Sequence, residues 1–158
     1  IMSHTISFLF YGQFIVVWKH FGPTSRTRNE VIDYLQVLQA QIQREPAILA
    51  AGLWGSFARG DPGEYPDIDL RLFRLPGFRN GLRATAFLMK ERVRATVRGY
   101  PLDAYLWDSI DDAKRLRKDE FPVVLHDPQE LLNRMYPQAT DLSNLIGAYP
   151  SNSEAVSD

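Results

Sequence analysis

The stretch Gly55-Ser56-Phe57-Ala58-Arg59-Gly60, then Asp61 to Pro66, then Asp67-Ile68-Asp69-Leu70-Arg71-Leu72, decides how this chain is read. Ile48 to Trp54 is apolar enough for a buried strand, and Gly55 ends it. From Asp67 the pattern alternates with period two, so residues i and i+2 share one face of a second strand. Asp67 and Asp69 then project together, while Ile68, Leu70 and Leu72 point the other way into the core. The local reading is strand, turn, short excursion, strand.

Two carboxylates held side by side repel one another, and a fold that keeps them needs a compensating charge. A divalent cation answers that need, and oxygen ligands suit Mg²⁺ or Mn²⁺. The Gly-Ser turn supplies the complement. Its small residues let backbone N–H groups approach a phosphate closely, and Ser56 adds a hydroxyl. Acids for a metal beside a turn for phosphate point to chemistry on a nucleoside triphosphate.

Gly-Ser, ten further residues and then Asp-x-Asp resembles the motif of the nucleotidyltransferase superfamily that includes DNA polymerase beta. Within it, the Gly-Ser-x-Ala-Arg-Gly opening and the short chain are most similar to the minimal nucleotidyltransferases. The resemblance covers roughly residues 27 to 135 and rests most firmly on 52 to 70. One position departs from the pattern: Pro66 stands where a small hydroxyl residue commonly precedes the first Asp.

The resemblance implies transfer of a nucleoside monophosphate, with ATP the first choice of donor, to an acceptor hydroxyl with release of pyrophosphate. In that scheme Asp67 and Asp69 hold Mg²⁺ against the triphosphate. With Asp103 they hold a second ion that lowers the acceptor's pKa and supports in-line attack on the α-phosphate. Asp103 lies in the alternating run Leu102 to Trp107, on the face opposite Leu102, Ala104 and Leu106, and its position resembles the third metal carboxylate of the superfamily. It is also a candidate general base. Gly55 and Ser56 bind the β- and γ-phosphates. Arg59 has two readings that its place in the turn does not separate: neutralising phosphate charge, or hydrogen-bonding the loop that leads to Asp67. Phe57 reads as a packing residue.

Working outward, Thr27 and Glu30 have capping-box spacing, and Val31, Tyr34, Leu35, Leu38 and Ile42 recur at helical intervals, which predicts a helix over 27–44. A second helix is expected over 80–98, with Leu82, Ala86, Met89, Val93 and Val97 on one stripe and Lys90, Arg94 and Arg98 on a solvated face beside it. Asp108 to Lys118 reads as a short charged helix and Val123 to Leu125 as a short strand. Asp127, Pro128 and Glu130 have the spacing of cap, first position and third position of a further helix. This order predicts an α+β domain over 23–136 with a small mixed sheet, helices on one face and the cleft on the bare face. Residues 1–22 read as an extra hairpin or helix, or a homo-oligomer contact. Residues 137–158 read as a polar tail, disordered from 150.

With 158 residues, 45% of them hydrophobic and 23% charged, the expectation is one soluble globular domain. A net charge of −1 offers no general attraction to nucleic acid, and the absence of cysteine excludes disulfides and thiolate metal sites. The apolar run Ile6 to Trp18 is too short to span a bilayer and lacks a basic leader, so a cytoplasmic protein without membrane contact is expected. His4, His20 and His126 have no metal-binding spacing.

The acceptor is not written in these residues. Antibiotic nucleotidyltransferases resemble this core but carry a further helical domain, so a drug-modifying role needs a second half from another subunit. Minimal enzymes often pair with a helical partner protein encoded alongside, and in toxin–antitoxin systems they adenylylate the partner toxin; the resemblance implies that role first. The alternatives are a non-catalytic nucleotide- or partner-binding module, and transfer to an RNA end, which needs a continuous basic groove.

Overall fold

The computed structural model describes residues 26–115 and 120–149. The segment 1–22, expected as a hairpin or helix, and residues 150–158, expected as disordered, lie outside the described residues. The described chain forms α1 (Arg28–Gln43), β1 (Ile48–Trp54), β2 (Ile68–Arg74), α2 (Phe78–Arg98), β3 (Leu102–Trp107) and a 3₁₀ turn (Ile110–Arg115). It continues through β4 (Val123–His126), α3 (Leu131–Met135), β5 (Thr140–Asp141) and α4 (Leu142–Ala148).

The start of α1 is set by its capping box. Glu30 N–H donates to the Thr27 hydroxyl, and the Thr27 backbone N–H donates back to the Glu30 carboxylate at 2.9 Å. The sheet order is β3-β2-β1-β4-β5, with β1 antiparallel to both β2 and β4. The β2–β3 and β4–β5 pairs are parallel. A parallel pair needs a crossover, and α2 supplies it between β2 and β3.

The alternation in β2 sorts its residues as expected. Ile68, Leu70 and Leu72 are fully buried and join Leu35, Leu38 and Ile42 of α1, Phe87 and Leu88 of α2, and Leu142 and Leu145 of α4 in one core. The opposite face is not bare along its whole width. Trp54 and Phe73 anchor a second cluster there, closed by Ala113 of the 3₁₀ turn and by Leu132 and Tyr136. Trp54 meets Phe73 and Tyr136 edge-on, with both pairs of ring centroids 6.3 Å apart. That cluster lies over β1 and β4 and reaches Phe73 on β2. The acids line the adjoining part of the face on β2 and β3, with Asp69 in register with Trp54.

Three elements differ from the sequence reading. The buried side of α2 is Ala84, Phe87, Leu88, Glu91 and Ala95, whereas Leu82, Met89, Val93 and Val97 face outward. Small Ala84 and Ala95 let the helix lie close on the sheet. α3 begins at Leu131 rather than Pro128, because Glu130 adopts a left-handed conformation (φ 55°). Asp127 still caps it at a distance, accepting from the Leu131 and Asn133 N–H groups at 2.8 and 3.0 Å. The stretch after Pro137 is no simple tail. It adds β5 beside β4 and folds into α4, whose Leu142 and Leu145 are buried. Two leucines in seven residues are too few to reveal a period, yet enough to dock a short helix.

Candidate active site

Gly55 closes β1 with φ +70°, a backbone that an L side chain rarely adopts. The chain then winds through Gly60 as a compact turn: Arg59 N–H donates to Gly55 O, Gly60 N–H to Phe57 O and Asp61 N–H to Ser56 O, each at 3.1 Å. Phe57 is buried in the main core, as expected of a packing residue, and pins the turn from below. Among the described residues nothing accepts from the backbone N–H groups of Ser56, Phe57 or Ala58. The excursion to Asp67 is also tied down. Arg28 donates from its backbone to Glu64 O at 2.9 Å and from Nε to Gly63 O at 2.6 Å, while the Tyr149 hydroxyl donates to Gly60 O at 2.6 Å.

Asp69 packs directly on the start of this turn. A Cβ at Gly55 would overlap the Asp69 Oδ2 and lie 3.1 Å from its Cγ. In the sheet, Asp69 is the register partner of Asp103 on β3 and of Trp54 on β1. Neighbouring strands run about 4.8 Å apart, so the two carboxylates leave the same face side by side. Asp67 immediately precedes β2 and is exposed, as is Asp103; Asp69 is half-buried. Like charges opposite one another on a sheet are destabilising.

The electrostatics carry that cost visibly. Burial pushes the Asp69 carboxyl above its ordinary value, the neighbouring Asp103, Asp67 and Glu120 push it further, and Arg71 opposes them. Arg71 and Tyr105 are the next register pair on the same face of these strands, and the Arg71 guanidinium lies 4.4 Å from the Tyr105 ring centre. The charge of Asp103, then burial, push the Tyr105 hydroxyl up. Arg59 Nη1 donates to Glu120 Oε1 at 2.8 Å, and Glu120 is buried although it stands just before β4.

Of the residues singled out from sequence, the structure brings Gly55, Asp69 and Asp103 together, sets Asp67 just before β2 and turns Arg59 to Glu120; Arg28, Arg71, Tyr105, Glu120 and Tyr149, which surround them, were not singled out. Arg71 and Tyr105 carried a signal, being two residues past Asp69 and Asp103 on alternating strands. Glu120 carried none.

The donor set is hard oxygen on one face, which suits Mg²⁺ or Mn²⁺ in type. As the side chains stand, no three acids or histidines among the described residues gather closely enough to hold an ion. The acids share a face and a field without forming a finished cage. No protein-family model, curated protein or solved structure matches this chain. No helix among the described residues is long and apolar enough to cross a membrane.

Proposed function

We propose that this chain is a metal-dependent nucleotidyltransferase that moves a nucleoside monophosphate, AMP from ATP as first choice, onto an acceptor hydroxyl and releases pyrophosphate. The observation that carries the reading is the seat of Asp69, against the Gly55 turn on one side and in register with Asp103 on the other. It brings an anion-seeking turn and a cation-seeking pair together from residues fourteen apart in sequence and from the next strand.

Asp67, Asp69 and Asp103 are the residues that would hold Mg²⁺. Bound there, the metal would neutralise the acids and stabilise charge on the transferred phosphoryl group. The Ser56, Phe57 and Ala58 N–H groups and the Ser56 hydroxyl bind the outer phosphates. Asp103, exposed at the rim, accepts the acceptor's proton. The ion pair with Glu120, just before β4, favours a structural Arg59 over a phosphate-binding one, although its partner is not the loop that leads to Asp67, which Arg28 holds instead. The donor base and a helical partner protein as acceptor, in the manner of a toxin–antitoxin pair, rest on the sequence resemblance alone.

The test is transfer of label from α-labelled ATP, with Mg²⁺, into source-cell lysate, using Asp67→Asn with Asp69→Asn as control. A labelled species lost in the control supports the reading, and its size identifies the acceptor class. A second reading, a nucleotide-binding module without chemistry, is favoured by the absence of a gathered ion site among the described residues. Nucleotide binding without label transfer from any of the four ribonucleotides would select it.

A further inference from the structure

The face that carries the acids continues along β2 and β3 in register. After Asp69 and Asp103 come Arg71 and Tyr105, and after these Phe73 and Trp107. The Arg71 guanidinium lies over the Tyr105 ring, 4.4 Å from its centre, while Arg71 Nη1 donates to Leu70 O. Phe73 is buried and Trp107 partly buried, with ring centres 6.3 Å apart, so this pair walls off the far end of the row. Tyr105 is the most open of the three aromatics: with the cation over its ring, 47% of the residue is exposed.

The row has a direction. β1 runs antiparallel to β2 with Trp54 opposite Asp69 and Gly52 opposite Arg71. The Gly55 turn therefore lies past the Asp69 end of β2, and Arg71 and Tyr105 lie on the other side of the acids. A triphosphate with its outer phosphates in the turn and its α-phosphate over the acids carries its nucleoside on that α-phosphate. Over β1 and β4 the face is filled by Trp54, Val124 and Tyr136. On β3 the next residue of the face is Tyr105, two strand residues or about 6.7 Å beyond Asp103, within reach across one ribose.

Resting on the nucleotidyltransferase reading above, we propose that Tyr105, backed by Arg71, is the stacking platform for the base of the bound nucleotide. An exposed aromatic ring takes a nucleobase face to face, and a guanidinium over the same ring adds a cation to the stack. Such a platform holds the base by its face, which every base offers, and leaves its hydrogen-bonding edge unread. All four ribonucleotides are then accepted, with the larger purines ahead of the pyrimidines. Tyr105 acts through its ring, and its hydroxyl is dispensable.

The test titrates the full chain, with Mg²⁺, against the four ribonucleoside triphosphates and against inorganic tripolyphosphate, which carries the phosphates without a base. Tyr105→Ala and Tyr105→Leu should weaken ATP binding on the order of ten- to hundredfold, the loss of one aromatic–base stack, and leave tripolyphosphate binding unchanged. Tyr105→Leu keeps the bulk of the ring and serves where Tyr105→Ala does not fold. Tyr105→Phe should bind ATP as the parent does, and GTP, CTP and UTP should bind the parent within about tenfold of ATP. The platform alone is overturned if tripolyphosphate binds but ATP affinity is unchanged in the Ala and Leu variants. It is overturned as well if tripolyphosphate weakens together with ATP (a structural role), if Tyr105→Phe loses ATP (a role for the hydroxyl), or if one base is preferred by more than about a hundredfold (an edge-reading pocket). A parent chain that binds neither ATP nor tripolyphosphate would overturn the reaction reading, and the platform with it.

Discussion

Gly55 and Asp69 occupy one another's space: the aspartate's Oδ2 lies where a Cβ on residue 55 would be, and the glycine backbone sits at φ +70°. Both facts forbid a side chain at 55, and they act through different energies. Forcing an L residue into the left-handed region costs about 1–2 kcal/mol, and the overlap adds to it. Gly55→Ala should therefore destabilise the fold by more than the backbone term, and Gly55→Ala with Asp69→Ala should recover the difference. Urea unfolding of the two single variants and the double variant measures this; strictly additive effects would show that the side chains do not collide. If transfer activity is found, Gly55→Ala should lower it on the order of 10²-fold by displacing Asp69.

The acid pair makes a prediction about pH. Burial and the charges of Asp103, Asp67 and Glu120 hold the Asp69 carboxyl above its ordinary value, against the pull of Arg71. The folded state then binds this proton more tightly than the unfolded chain. Its stabilising contribution is present at low pH and is lost as pH rises through the folded value. Without metal, Asp69→Asn should raise Tm at neutral pH and lose that advantage below the usual carboxylate range. A variant no more stable at pH 7 than the parent would contradict the charge strain. Mg²⁺ should raise the parent's Tm and leave that of Asp69→Asn nearly unchanged.

Arg59 and Glu120 separate a structural arginine from a phosphate-binding one. The guanidinium is half-exposed, while the carboxylate it meets is nine-tenths buried. Arg59→Ala takes one cation from a desolvated anion, a loss of about 1–3 kcal/mol, and adding Glu120→Gln should restore part of it. A structural arginine predicts that nucleotide affinity, read by titration calorimetry, recovers together with stability in the double variant. Stability regained without affinity would assign Arg59 to the phosphates.

What was legible in the sequence is what is local. Thr27 and Glu30 cap α1 because both bonds span three residues, and Asp69 shares a face with Arg71 because a strand allows nothing else. The joining of Asp69 to Asp103 was legible only through the family resemblance, since register across a crossover leaves no trace in spacing. The buried side of α2 was misread for a physical reason. Periodicity finds a stripe of large apolar residues, but the sheet accepted the side with Ala84 and Ala95, where backbones approach closely, and even took Glu91 into the interior. Glu120 and α4 escaped because each owes its place to contacts made across the whole chain.

Glu91 gives the last prediction. It is 1% exposed on the core side of α2, near enough to Tyr34 for its charge, after burial, to push that hydroxyl up, and Arg94 one turn on supplies its counter-charge. Sequence reading had set Arg94 on a solvated face. A solvated arginine can be removed for a few tenths of a kcal/mol, whereas removing one partner of a buried pair costs about 3–5 kcal/mol. Arg94→Met should therefore be severely destabilising, and Glu91→Met with Arg94→Met should come close to the parent, since apolar replacement of both partners is often neutral. Lys90→Met, on the exposed side of the same helix, serves as the control and should change little. Thermal melts of these variants decide the matter. Arg94→Met as mild as Lys90→Met would place Glu91 in contact with water and the helix in a different rotation on the sheet.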